Sequence, residues 1–183
     1  MKKTIAAVPV AAVLSIGVAA ADVVSAEAGG FKIVNEAVID ATRADAWRIA
    51  IKEVGKWWSS DHTVSGEADR LSISAKPQGC FCEDLGRNAG VVHLTVTMVY
   101  PEVVLRLNGG LGPLGLMGVD GNMTWEFEDA GDKTAVKFTY AVGGFRPDGL
   151  DAMAAPVDTV LGEALLRLKA YIETGDAEQT GLE

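Results

Sequence analysis

Residues 156–172 carry the pattern of one long amphipathic helix, and it comes last, after a run of strands. Val157, Val160, Leu161, Ala164, Leu165, Leu168, Tyr171 and Ile172 recur at helical spacing, while Asp158, Glu163, Arg167, Lys169 and Glu173 fill the opposite face. A lone apolar stripe must be buried, and the chain offers it only a sheet. The expected fold is therefore α+β: a curved antiparallel sheet wrapped around a terminal helix, with room for a cavity between them.

The strands are legible by alternation. Residues 31–39 read as a first strand. Thr42 is a fair N-cap for a helix carrying Ala46, Trp47, Ile49, Ala50 and Val54, and Lys56-Trp57-Trp58 begins a second short helix. From Arg70 the period changes to two. Val92, Leu94, Val96, Met98 and Tyr100 are expected to share a face opposite His93, Thr95 and Thr97. Leu105 and Leu107 oppose Arg106 and Asn108, and Met123, Trp125 and Phe127 oppose Thr124 and Glu126. Ala130-Gly131-Asp132 reads as a hairpin turn before Val136, Phe138, Tyr140 and Val142. About seven strands result, wet on one side and packed on the other. The helix pair falls between the first strand and the rest.

The chain has 183 residues, enough for one domain with a real core. Its start is of another kind. Met1-Lys2-Lys3 is basic, the following apolar run is rich in Ala and Val, and Val24-Ser25-Ala26 supplies the small residues a signal peptidase reads, with Val18-Ala19-Ala20 as a rival. Residues 1–26 are thus expected to be a secretory signal peptide, and the mature protein to be periplasmic or secreted. A retained membrane anchor is the competing reading; the Ala-rich composition, Pro9 and the lack of a basic stop-transfer cluster argue against it. The folded domain is expected over 30–174, followed by a flexible acidic tail over 175–183.

Net charge is −9, and a cut after Ala26 makes it one charge more negative. Such a surface repels nucleic acid and anionic membrane, so neither is an expected partner. The membrane would be reached only through an uncleaved signal segment, and no feature specifies an oligomeric state. The only cysteines form Cys80-Phe81-Cys82. In a strand such residues lie about 6.6 Å apart, whereas a disulfide brings Cβ atoms to about 3.8 Å. A bridge would need a bulge or strain. The pair is either buried and reduced, the favoured reading, or strained and redox-active.

Several short motifs, taken in order, resemble the SRPBCC or START-like helix-grip superfamily, in its polyketide cyclase and heat-shock-chaperone ATPase-activator-like branch. They are Ala44-Asp45-Ala46-Trp47, Lys56-Trp57-Trp58, Gly79-Cys80-Phe81-Cys82-Glu83, Leu111-Gly112-Pro113-Leu114, Trp125-Glu126-Phe127 and the stretch from Val157 into Leu168-Lys169. The resemblance spans nearly all of the mature chain and implies the fold more than an activity, because lipid carriers, cyclases and chaperone activators share it.

The inward rows contain almost no ionisable group; a plain packed core is one reading, and where the space is not filled the expected ligand is a small hydrophobic molecule: a lipid, an isoprenoid or an aromatic. Its expected walls are Trp47 and Trp58 from the helices and Leu161 and Leu165 from the terminal helix. The strands are expected to add Met98, Leu107, Met123, Trp125, Phe138 and Tyr140. A cyclase- or aromatase-like enzyme is the alternative, with Arg106, His62 or Tyr140 turned inward as acid or base. A protein-interaction module is a further one. His93, on the polar side of its strand, is expected at the surface. A metal site from Cys80, Cys82 and His93 is weakly supported. Gly110-Leu111-Gly112-Pro113-Leu114-Gly115 mimics a dinucleotide loop but lacks the crossover helix and parallel strand, so no cofactor is expected.

Overall fold

A computed structural model describes residues 20–180 of the chain. Eight strands form one sheet, β1 (Ala20–Glu27), β2 (Gly30–Ile39), β3 (Leu71–Ile73), β4 (Cys80–Gly86), β5 (Ala89–Tyr100), β6 (Val104–Asn108), β7 (Gly118–Ala130) and β8 (Lys133–Phe145). Their spatial order is β1-β2-β8-β7-β6-β5-β4-β3, antiparallel throughout. Two short helices, α1 (Arg43–Lys52) and α2 (Val54–Trp57), follow β2, and the long α3 (Asp151–Thr174) closes the fold. The expected helix-grip architecture is present, with one strand more than anticipated.

That additional strand is β1. It pairs with β2 from Ala20–Glu36 to Glu27–Gly30, and so occupies the end of the segment assigned to the signal peptide. The rest of that segment lies outside the described residues. No helix among the described residues is long and apolar enough to cross a membrane.

Each helix is started and stopped by local chemistry. The Thr42 hydroxyl caps α1 by accepting from the Asp45 amide at 3.2 Å. Gly175, at φ +81°, ends α3 in a left-handed conformation that costs glycine nothing. Pro156 sits within the helix, which runs through it without ending. α3 lies across the concave side of the sheet, burying Ala154, Leu161, Ala164, Leu165 and Leu168. Polar ties fix its register there: Asn35 of β2 donates to Asp158 at 2.8 Å, and Lys169 Nζ donates to the Val38 carbonyl at 2.8 Å.

Within the tail expected to fray, the described residues Ala177 and Glu178 lie against the domain. Ala177 is buried, and Glu178 accepts from Arg167 Nη2 at 2.7 Å. Arg167, expected on the wet face, is itself buried and donates from Nε to the Trp57 carbonyl at 2.9 Å. One guanidinium thus joins α2, α3 and the tail.

β5 departs most from simple alternation. Phe81 pairs with Leu94 and Cys82 with Val92, so His93 is an extra residue; Val96 pairs with Leu107 and Met98 with Arg106, so Thr97 is another. Each bulge reverses which face the following residues occupy. His93, Leu94 and Val96 therefore point in, whereas Val92, Met98 and Tyr100 are exposed. Placing His93 at the surface and the other three inside was wrong for this reason. Cys80 and Cys82 flank the first bulge. They are joined as a disulfide across a Cα–Cα distance of 5.4 Å, which corrects the reading of reduced thiols and removes them as metal ligands.

Candidate functional site

The inner face of the sheet is built in cross-strand rows. In one, Asn35 of β2 opposes Phe138 of β8, which opposes Trp125 of β7, which opposes Leu105 of β6. In the next, Ile33, Tyr140, Met123 and Leu107 follow in the same order. Apart from Asn35 and the Tyr140 hydroxyl these rows are apolar, and every member is at most 1% exposed. Leu161 and Leu165 of α3 are equally buried above them.

Aromatic rings order the interior. Trp125 stacks on Phe138 with centroids 4.5 Å apart and planes at 20°. Trp57 of α2 meets Trp125 at 5.9 Å and 58°, and Trp58 stands edge-on to Phe81 at 5.2 Å. Trp47 packs edge-on against Phe127 at 5.3 Å from the rim, half-buried. Such contacts add about 0.5–1.5 kcal/mol each beyond area burial. The sequence-predicted wall residues are thus gathered on one side of the sheet, Met98 excepted. The bulge at Thr97 turns Met98 outward, where it is 42% exposed.

The polar groups of the interior have definite roles. The Tyr140 hydroxyl donates to the Gly109 carbonyl at 2.7 Å and accepts from the Leu111 amide at 3.0 Å, pinning the loop between β6 and β7. Burial pushes its pKa up to about 12, the Leu111 amide opposing and Asp120 assisting. His62 and Arg106 do not join it. His62 lies on the loop after α2, 3.1 Å from Glu163 of α3, and Arg106 reaches the Thr97 hydroxyl on the outer face.

Glu83 and His93 form a buried pair that sequence reasoning missed. His93 Nε2 is 2.9 Å from Glu83 Oε2, and both side chains are nearly inaccessible. The amides of Val64 and Ser65 also donate to the carboxylate, at 3.0 and 2.5 Å. Burial alone would raise the Glu83 pKa; hydrogen bonds from Ser65, Val64 and His93 outweigh it and hold the group at about 2. Glu83 is therefore an ionised latch for the 59–66 loop on the inner side of the sheet. Its parity with Phe81 was readable from the sequence. The position of His93 was not, because the bulge is not a compositional signal. Among the described residues no cluster of His, Cys, Asp and Glu is arranged to hold a metal ion.

The family model for polyketide cyclase / dehydrase and lipid transport proteins matches residues 30–173, from β2 through nearly all of α3. The chain belongs to this family. Solved structures agree on the fold. A conserved protein of unknown function from Enterococcus faecalis superposes with a TM-score of 0.61 at 15% identity, covering 90% of this chain and 82% of its own. CalU16 from Micromonospora echinospora gives 0.53 at 17% identity, covering 91% and 94%. The Aha1 dimer from Colwellia psychrerythraea gives 0.55 at 20% identity, covering 79% and 97%. Among curated proteins none matches the chain. Family membership brings a fold suited to hydrophobic ligands, and in this member the concave face is lined accordingly.

Proposed function

We propose that this family member is an exported binding or carrier protein for a small hydrophobic ligand, held between the sheet and α3. The observation that carries the reading is the composition of the inner face. Apolar and aromatic side chains from β2, β6, β7, β8, α2 and α3 converge there with few polar groups among them, as ligand sites for lipids, isoprenoids and aromatics require. Lipid transport in the family description supports the same reading. Export is supported by the basic start and apolar run of the chain and by the Cys80–Cys82 disulfide, which fits an oxidising compartment.

Native mass spectrometry of gently purified protein, with thermal shifts across acyl, isoprenoid and aromatic compounds, tests the proposal. A co-purifying mass or a ligand-dependent rise in Tm is expected. Neither appearing would end it. Cell fractionation tests export separately, and protein confined to the cytoplasm would end that part.

A cyclase-like enzyme is a second reading, favoured by the buried Glu83–His93 pair and the inward Tyr140. It requires turnover of an aromatic or polyketide-like substrate that is lost in His93→Gln.

A further inference from the structure

Two hydrogen-bond donors inside the grip have no acceptor in the protein: the indole Nε1 atoms of Trp57 and Trp125. Both residues are wholly buried, and their rings are neighbours at 5.9 Å. They come from opposite walls, Trp57 from the plug helix α2 and Trp125 from the sheet. Asn35 Oδ1, in the row of Phe138 and Trp125, is a buried acceptor that likewise has no partner, whereas two other nearby groups are satisfied. Trp58 Nε1 donates to the His62 carbonyl at 3.1 Å, and the Tyr140 hydroxyl both donates and accepts.

Neither ring depends on its N–H for its position. Trp125 is held by its stack on Phe138, and Trp57 through its backbone carbonyl, which accepts from Arg167. A buried donor without a partner opposes folding, whereas phenylalanine would fill much of the same space without that cost. Two adjacent indoles that keep their N–H groups free are therefore suited to an acceptor from outside the chain.

We infer that Trp57 and Trp125 are the polar anchor of the ligand site, and that the ligand offers their indole N–H groups an uncharged oxygen, as ketone, ester or hydroxyl, on an apolar body. This rests on the proposed binding function and narrows its ligand class. An uncharged oxygen follows from the surroundings. Besides Tyr140, whose hydroxyl is committed to Gly109 and Leu111, the buried ionisable side chains among the described residues are Glu83, His93 and Arg167. Arg167 is committed to the Trp57 carbonyl and Glu178, and His93 to Glu83. A carboxylate entering this interior would lose its hydration with no free counter-charge to receive it.

The test uses matched pairs differing only in oxygen: fluorenone against fluorene, tridecanone against tridecane, and farnesyl acetone against its parent hydrocarbon. Tridecanoate is the charged control. Each is titrated into the nitrogen-15-labelled mature protein while affinity and the indole N–H resonances are followed. In at least one pair the ketone is expected to bind about tenfold or more tightly than the hydrocarbon. Two indole signals should move downfield while that of Trp58 stays. Tridecanoate should bind more weakly than tridecanone. Trp57→Phe and Trp125→Phe assign the signals, and each should erase most of the ketone's advantage; the wild-type comparison stands alone where a variant does not fold. Equal affinity for hydrocarbon and ketone, or ketone binding with both signals unmoved, overturns the anchor and leaves the binding function standing. Failure of every compound to bind overturns both.

Discussion

Glu83→Gln removes a charge that three donors share, and its consequence can be worked out from the surroundings of the carboxylate. In the folded protein the group sits at about 2, against a reference of 4.5. Burial pushes it upward, but the Ser65 and Val64 amides and the His93 ring prevail. Each pH unit between the folded and unfolded values is worth about 1.4 kcal/mol, so ionised Glu83 stabilises the fold by roughly 3 kcal/mol at neutral pH. Because the folded value is the lower one, this contribution is complete above the unfolded value. It is lost as pH falls toward and through about 2. Urea unfolding followed by tryptophan fluorescence should therefore find Glu83→Gln about 3 kcal/mol less stable than wild type at pH 7, equivalent to roughly 6–12 °C in Tm. By pH 3 the gap should narrow to about half. A variant as stable as wild type at pH 7, or a gap that does not change with pH, would refute the reasoning.

Other perturbations test other parts of the fold. Tyr140→Phe leaves the Gly109 carbonyl and Leu111 amide without their partner and should cost about 1–3 kcal/mol, with faster amide exchange across 109–117. Since burial raises the Tyr140 pKa to about 12, its contribution is present below the ordinary tyrosine value and lost as pH rises through the folded one. Alkaline unfolding should accordingly be less steep in the variant. Leu161→Ala, in the middle of α3 at 0% exposure, should cost roughly 3–5 kcal/mol by chemical denaturation. N-terminal sequencing of exported protein is expected to begin at Ala21 rather than Glu27, because a cut after Ala26 would strip β1 from β2.

How far the sequence disclosed this molecule depended on whether each element's pattern is intrinsic or imposed by neighbours. β6, β7, β8 and α3 bury one face continuously, so Leu105, Trp125, Phe138 and Leu165 announce their side by period alone. The Ala130–Lys133 hairpin was equally plain. β5 was misread because its bulges at His93 and Thr97 are set by pairing with β4 and β6. One unpaired residue reverses the parity of those that follow. β1 was hidden for a different reason. Its Ala, Val and Ser residues suit both a protease site and an edge strand. The disulfide was misjudged because regular strand geometry does not apply beside a bulge. Of the inner face, the apolar rows were legible and the polar exceptions were not. Glu83 could have been placed by its parity with Phe81, whereas the unpartnered N–H of Trp57 depends on what tertiary packing brings beside α2.

The position of α3 at the end of the chain also bears on how the protein comes to be folded. The concave surface is made by residues that are synthesised first, and its cover is made almost last. Asn35 waits for Asp158, and the Trp57 carbonyl waits for Arg167, across separations of 123 and 110 residues. Such distant pairings slow folding. Until α3 is available, the wall formed by Trp125, Phe138 and Leu107 has no partner and is open to association with other chains. Under the proposed export the chain would be delivered amino-terminus first, and the hazardous interval would be the time needed to deliver residues 151–174. Truncation just before α3 should therefore give aggregation, while loss of the residues beyond Gly175 should spare solubility.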